Sequence, residues 1–374
     1  MMMKKWWTWL LLIALVCLLF IFTSMRYTGP PTKEELRPMF DEYIKKFNKT
    51  YKDDPVEYES RLTHFVASVQ EIEALNAASR GPESNRAQYG LTKLSDMSKG
   101  EYKDLHLSDE MPAKRTHGHR HSRKEDSPQI KTIDDSANND PQYNVYNVIR
   151  KRRATLPLSV DWRTKGVIGP VHDQGICGAC WAFSTVGTME AMASIATGKL
   201  QSLSVQEAID CAGLGNSGCG GGDICLLLDW LKLTNTALET EKEYPLRLMN
   251  GACSLKKNAT GVRVSTFTCD DFVGAEERIL QALATHGPVT VAVNALTWQN
   301  YLGGVIQYHC SGAPTDLNHA VELVGYDITG EVPYYIAKNS WGSEFGINGY
   351  INLAVGQNMC GLANEVASID VTLS

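Results

Sequence analysis

The sequence predicts an α+β protein in which two packed halves follow a smaller helical unit. Three observations lead there. After residue 154 the patterning is helical first and strand-like later, the order expected when helices and an antiparallel sheet segregate. Residues 34–105 carry helical periodicity of their own, set apart by a linker whose stretch from Asp134 to Pro141 has almost no apolar side chains. The charge is divided as well: residues 1–153 hold 25 Lys+Arg against 21 Asp+Glu, net +4, whereas residues 154–374 hold 11 against 21, net −10. At 374 residues, 43% hydrophobic and 21% charged, the chain suits a folded protein of about two or three domains, not a disordered or fibrous one. The overall charge of −6 argues against a nucleic-acid partner.

At the N-terminus, Lys4 and Lys5 precede the apolar segment Trp6 to Phe22, in which Thr8 is the one polar side chain. The run exceeds the ~7–15 residues of a cleavable signal and reaches the ~17-residue lower limit of a span. Residues 1–28 are therefore expected to be a signal-anchor, with a cleaved signal peptide as the alternative. The flanking lysines keep this end cytoplasmic and the remainder lumenal. Next, Glu57, Arg61, Phe65, Ile72 and Asn76 recur along one helix face, Gly81-Pro82 stops that helix, and Tyr89 to Leu94 reads as a short strand. Residues 108–153 form the linker. Its histidines (His117, His119, His121) read as a solvated spacer more than a metal site, and it closes on Arg150-Lys151-Arg152-Arg153, a cluster of the kind lumenal convertases cut. Beyond it, Cys180 to Thr197 is a buried helix. Ser204-Val-Gln-Glu207 is a capping box, and Ala275 to Thr285 is an amphipathic helix stopped by Gly287-Pro288. Strands follow at Val289–Val293, Val321–Tyr326, Tyr334–Lys338 and Tyr350–Ala354.

The chemistry concentrates around cysteine. Cys17 lies in the apolar segment, and the other nine of the ten cysteines fall after residue 176. An odd number in a lumenal domain implies disulfides plus one free thiol. The stretch Gln174-Gly-Ile-Cys177-Gly-Ala-Cys180-Trp181-Ala-Phe183 places Cys180 at a helix start, where unpaired N–H groups and the helix dipole stabilise a thiolate. A nearby imidazole would complete a thiolate–imidazolium pair. His319, in Asn-His-Ala-Val, lies 139 residues downstream, and Asn339, in Lys-Asn-Ser-Trp-Gly, lies 159 downstream. A thioredoxin-like reading of Cys177-x-x-Cys180 lacks a surrounding βαβ pattern, and a zinc site lacks a second ligand pair.

Three motifs in this order resemble the papain-like cysteine peptidases, over roughly residues 34–374. The resemblance implies a two-lobed fold, one lobe helical and one β-barrel-like, with the active-site cleft between them. It implies an endopeptidase acting on proteins or peptides, with Cys180 as nucleophile, His319 as its acid/base partner, and Asn339 orienting the imidazole beneath Trp341. Gln174 and the Cys180 backbone N–H would form the oxyanion hole. No cofactor or metal is implied. The complete set argues against a catalytically silent scaffold. Gly220-Gly-Gly222 resembles the family's glycine wall, with Gly220 where Asn is common, so Gly221, Gly222 and Asn318 are expected along the cleft. Glu365, five residues after Cys360, falls at the floor of the specificity pocket, as Glu does elsewhere in the family. Asp223, Ile224, Ala292 and Leu317 complete that pocket, Asp223 adding charge at its rim.

By the same resemblance, residues 34–107 are an inhibitory propeptide, 108–153 the linker to be cut, and 154–374 the peptidase domain. Glu57, Arg61, Phe65, Ile72 and Asn76 match the propeptide's helical motif, with Ser68 replacing an Asn. Gly90, Thr92, Leu94 and Asp96 keep two of four positions in the next motif. The family pattern pairs Cys177 with Cys219, Cys211 with Cys253, and Cys310 with Cys360. Cys225 and Cys269 have no counterpart there, and a fourth bridge between them would leave Cys180 free. Asn48 and Asn258 stand in lumenal glycosylation sequons.

Overall fold

The computed structural model describes residues 30–79, 85–108, 156–256 and 259–373. The apolar segment 6–22, Gly81-Pro82, the histidine-rich linker, the basic cluster 150–153 and the Asn258 sequon lie outside the described residues. No helix among the described residues is long and apolar enough to cross a membrane. Two compact units divide between Gln70 and Glu71.

In the first unit, α1 (Lys33–Lys46) opens with a capping box: Thr32 accepts from the Glu35 N–H while the Glu35 carboxylate accepts from the Thr32 N–H. Helix α2 (Pro55–Ala78) begins in this unit. The two helices meet through aromatic rings, with Phe40 and Tyr43 lying 5.1 and 5.0 Å from Phe65. Phe40, Leu62 and Phe65 are fully buried. The charged members of the expected face pair along the helix instead, Arg61 Nε donating to Glu57 at 2.6 Å. Ser68 is buried as well, and a small hydroxyl fits there.

The second unit starts with the last turns of α2. Asn76 acts as a strand partner in miniature: its Nδ2 donates to the Tyr89 carbonyl at 2.8 Å and its Oδ1 accepts from the Tyr89 N–H at 3.0 Å. Strand β1 (Gln88–Tyr89) is shorter than the expected Tyr89–Leu94. Beyond Gly90 the chain turns, because Thr92 and Ser95 bond to Gln299 and Asn300 and leave no ladder to extend. Helix α3 (Lys99–His106) follows, capped by Ser98 and Glu101.

The remainder holds β2 (Ser159–Asp161), α4 (Cys180–Thr197), α5 (Val205–Cys211), α6 (Ile224–Thr234), β3 (Val262–Asp270), α7 (Glu277–Thr285), β4 (Val289–Val293), β5 (Tyr301–Gly303), β6 (Val305–Ile306), β7 (His319–Asp327), β8 (Tyr334–Lys338), β9 (Tyr350–Ala354) and β10 (Val366–Leu373). The main sheet runs β3-β10-β4-β7-β8-β9-β6, with β2 added on β7, and β1 pairs with β5 separately. The sheet does not close, so the expected barrel-like lobe is an open sheet: its end strands β3 and β6 pair with β10 and β9 and not with each other. The Ser204 box is half realised. Ser204 caps the Glu207 N–H at 2.9 Å, but the Glu207 carboxylate turns to the Glu239 N–H at 2.8 Å.

Two apolar cores reflect the two halves. One gathers α4, α5 and α6 around Trp181, Met189 and Leu227; the other lies between α7 and the sheet around Leu283, Leu323 and Tyr335. Helix α4 is buried at every position from Cys180 through Ser194, its polar side chains Ser184, Thr185, Thr188, Glu190 and Ser194 included.

Four disulfides staple the unit: Cys177–Cys219, Cys211–Cys253, Cys225–Cys269 and Cys310–Cys360. The extra bridge, Cys225–Cys269, ties α6 to β3 across 44 residues. Replacing both cysteines with Ala should lower unfolding stability by about 2–4 kcal/mol. Denaturant titration of the double variant, beside non-reducing peptide mapping of the parent, checks this; an unlinked pair of peptides or an unchanged midpoint contradicts it.

Candidate functional site

Cys180 is the first residue of α4, and no side chain caps the helix there. The exposed end of the peptide-dipole array therefore falls at the thiol. His319 is the first residue of β7, and its neighbour Ala320 is buried in the same apolar cluster as Cys180. His319 Nε2 lies 2.7 Å from Asn339 Oδ1, just beyond the end of β8. Asn339 Oδ1 also accepts from the Ser340 N–H at 2.9 Å, which fixes the amide with its oxygen toward the imidazole. Nε2 consequently carries the hydrogen toward Asn339 Oδ1, which leaves Nδ1 as the acceptor nitrogen of the neutral ring. Trp341 covers this bond, its ring centroid 4.8 Å from that of His319, and Trp298 meets the imidazole edge-on at 5.9 Å.

Gln174 is fully buried beside them. Its Oε1 accepts from the Ser340 hydroxyl at 2.5 Å, so its Nε2 is the end that faces the cleft. Ser340 thus sets both amides, one through its backbone and one through its hydroxyl. Sequence reasoning gave neither Ser340 nor Trp298 a role; the signal available for Ser340 was its place directly after Asn339.

The cleft is filled by the chain itself. Ser108 Oγ lies 3.8 Å from the Cys180 sulfur, and the Ser108 N–H donates to the Asn318 carbonyl at 2.7 Å. The His106 carbonyl accepts from Gln174 Nε2 at 3.4 Å, while the His106 ring packs edge-on against Trp341. Tyr102, fully buried, donates to the Ala295 carbonyl at 2.7 Å, and Gln299 Nε2 donates to the Leu94 carbonyl at 2.8 Å. Burial under this strap raises the Cys180 thiol above its ordinary value, against the opposing pull of Ser108. Burial also pushes His319 down to about 4, with Asn339 acting in the other direction and His106 adding to the depression. Both shifts disfavour the charged form of their group.

The other expected residues fall as follows. Gly221 adopts φ +112°, and a Cβ on it would meet Ser108. A Cβ on Gly222 would lie 2.6 Å from the Trp181 ring, so only glycine lets this backbone pass. Ile224, Ala292 and Leu317 are buried in the same apolar cluster as Cys180. The Ala292 N–H donates to the Glu365 carbonyl at 3.1 Å. Asp223, expected at the pocket rim, is only 5% exposed: its carboxylate caps α6, accepting from the Leu226 N–H at 2.8 Å. Burial raises its pKa, and Glu365 is its hydrogen-bonding neighbour. The carboxylates of Asp223 and Glu365 and the Cys225 sulfur lie within 4.8 Å of one another, the last committed to its disulfide.

Residues 156–369 match the family model for papain family cysteine proteases, and residues 40–102 match the cathepsin propeptide inhibitor domain. Cathepsin O of Mus musculus is 44% identical over 218 residues, covering 58% of this chain and 69% of its own. Cathepsin O of Homo sapiens is 42% identical over 232 residues, 62% and 71% respectively. Among solved structures, a recombinant stem bromelain precursor superposes with TM-score 0.70 at 27% identity, over 90% of this chain and 98% of its own. A digestive procathepsin L 3 of Tenebrio molitor gives 0.67 at 27%, over 90% and 99%. The chain belongs to the papain family of cysteine peptidases and is the zymogen of a cysteine endopeptidase that carries its own propeptide inhibitor domain.

Proposed function

We propose that the processed chain hydrolyses internal peptide bonds with Cys180 as nucleophile, His319 as proton carrier and Asn339 as its orienting group. The observation that supports this best is the His319–Asn339 hydrogen bond under Trp341, in a unit whose free cysteine among the described residues, Cys180, begins a helix. Removing the strap returns water to the cleft, relieves the burial that keeps both groups neutral, and allows the thiolate–imidazolium pair to form. The thiolate attacks the substrate carbonyl carbon. The oxygen's developing charge is received by Gln174 Nε2 and the Cys180 N–H. His319 passes its proton to the leaving amine as the C–N bond breaks, and a thioester remains. Water, giving its proton to His319, then releases the acid and restores the thiol pair.

The same reading places the protein in the lumenal, endolysosomal or secretory route, entered through the segment 6–22 acting as signal-anchor or signal. It includes glycans on Asn48 and Asn258 and cutting by a convertase between Arg153 and Ala154, which would also free the peptidase from a membrane anchor. In the specificity pocket, Glu365 would admit Arg or Lys beside apolar residues at the second position upstream of the cut, while Asp223, expected to add charge at the rim, is spent on capping α6.

Cys180→Ser and His319→Ala should abolish turnover of a fluorogenic peptide without unfolding the chain. Asn339→Ala should cost less, and Gln174→Ala should cost about 10²–10³-fold in kcat. A Gln174→Ala enzyme within about twofold of the parent would remove that residue from the oxyanion hole. The full-length chain should react with iodoacetamide at Cys180 far more slowly than the processed enzyme at pH 6; equal rates would mean the strap does not suppress the thiolate. For specificity, two substrates differing only in Arg or Leu at the pocket residue should diverge on Glu365→Ser, the Arg peptide losing kcat/KM selectively. Each tenfold corresponds to about 1.4 kcal/mol. Equal loss on both peptides would take Glu365 out of the pocket.

A further inference from the structure

The bridge that the family pattern lacks lies against the proposed specificity pocket. Cys225 is the second residue of α6, directly after Ile224 and two after Asp223, the cap of that helix. Its partner Cys269 is on β3, opposite Ala367 of β10, and β10 begins at Val366, directly after Glu365. The Cys225 sulfur and the carboxylates of Asp223 and Glu365 lie within 4.8 Å of one another. Of the four bridges among the described residues, this one alone runs from a helix to a strand.

Each of the two acids is held by its own element. Asp223 accepts from the Leu226 N–H at 2.8 Å, and its own N–H donates to Asn216 Oδ1 at 2.8 Å. Glu365 is held through its backbone: its carbonyl accepts from the Ala292 N–H at 3.1 Å, and the strand that follows pairs with β4 at Val366 and Ala367 and with β3 along its length. The side chains of Asp223 and Glu365 nonetheless hydrogen-bond each other. Two carboxyl groups in contact repel once both are ionised, so their proximity has to be imposed by the frame around them. The covalent path between the two frames runs from α6 through Cys225 and Cys269 to β3, one strand away from Glu365. We propose that the Cys225–Cys269 disulfide is a specificity-determining brace: it holds the first turn of α6 against β3, so that Glu365 stays beside Asp223 at the pocket floor and presents its charge to a guanidinium or ammonium side chain.

The inference rests on the pocket reading above and adds to it the element that keeps the charge in place. The bridge acts by positioning and touches no substrate. A cation reaching the floor meets a carboxyl pair that is already ordered, which spares the ordering cost of a flexible side chain. Without the bridge, separation relieves the repulsion between the acids, Glu365 turns toward solvent, and an Arg side chain loses its partner. A Leu side chain would use Ile224, Ala292 and Leu317 and is indifferent to that change. The brace therefore acts on discrimination between substrates and leaves Cys180, His319 and Asn339 alone.

The test compares the processed parent with Cys225→Ala/Cys269→Ala on two peptides that differ only in Arg or Leu at the pocket residue. Active-site titration counts the working enzyme, and non-reducing peptide mapping shows that the parent keeps the bridge in the assay buffer. The Arg peptide should lose about tenfold in kcat/KM, through KM, the size of one hydrogen bond to a charged group, while the Leu peptide stays within about twofold. A purely structural role lowers the count of working enzyme and moves both peptides together, so an equal change on both, or none, overturns the brace. Adding Glu365→Ser to the double variant should cost nothing more on the Arg peptide; an additive loss overturns it as well. If Glu365→Ser in the parent leaves Arg cleavage unchanged, the pocket reading fails and the brace falls with it. A selective loss in Glu365→Ser that the double variant does not share overturns the brace alone. Hydrogen exchange on the full chain reads the frame without either reading: the Leu226 and Ala292 N–H groups should exchange faster in the double variant, and unchanged protection overturns the brace. Should the double Ala variant fold poorly, Cys225→Val/Cys269→Ala, which keeps bulk at α6 without the bridge, takes its place in the same assays.

Discussion

The structure depends on one constraint above the rest: α4 must be buried along almost its whole length. A helix buried on every face needs other elements to close around it. Here α6 and α5 close one side, and β7, β10 and β4 close the other. That enclosure fixes where the helix begins, and the helix begins at Cys180. The same packing sets β7, which begins at His319, against α4, so both proposed catalytic residues stand at the ends of elements placed by core formation. The amides of Gln174 and Asn339 are then locked by Ser340, which stands on the backbone immediately after β8. Precision at the site is inherited from rigid elements, with one serine making the final adjustment.

Inhibition in this zymogen works through solvent as much as through obstruction. The strap from Thr92 to Ser108 binds by hydrogen bonds to buried backbone and amide groups, which lose little to water once formed. Burial raises the Cys180 thiol and lowers His319, so the charged form of each is disfavoured while the segment is in place. The His106 carbonyl meanwhile occupies the donor end of Gln174. The same segment thus reaches both Cys180 and Gln174.

Burial of charge recurs across the peptidase. Asp223 is withdrawn from solvent because it is needed as a helix cap, and Glu365 shares its environment. Glu207 leaves its capping box to hold the Glu239 backbone. Glu190, Glu322 and Lys338 sit where α4 meets the sheet. Buried carboxylates of this kind keep their protons more readily than exposed ones, so an excess of them favours the folded state in acid.

Much of this was legible in the sequence, where the relevant signal is local. The span of α4, the strands at 289–293, 334–338 and 350–354, and the order of Cys180, His319 and Asn339 follow from periodicity and short motifs. The disulfides came from family pattern and counting, since eight paired cysteines leave Cys180 as the free one. What the chain order does not encode is which distant side chains meet. Ser340 reaches Gln174 across 166 residues, and nothing near either one announces the contact. Thr92 and Ser95 turn away from a strand because residues more than 200 positions later offer better partners. Glu322 alternates with apolar neighbours in a strand and reads as a solvent-facing position; only the packed structure puts it against Lys338 and opposite Gly187. Local propensity is set by a residue and its near neighbours, whereas pairing, burial and charge state are set by the closed packing of the whole unit.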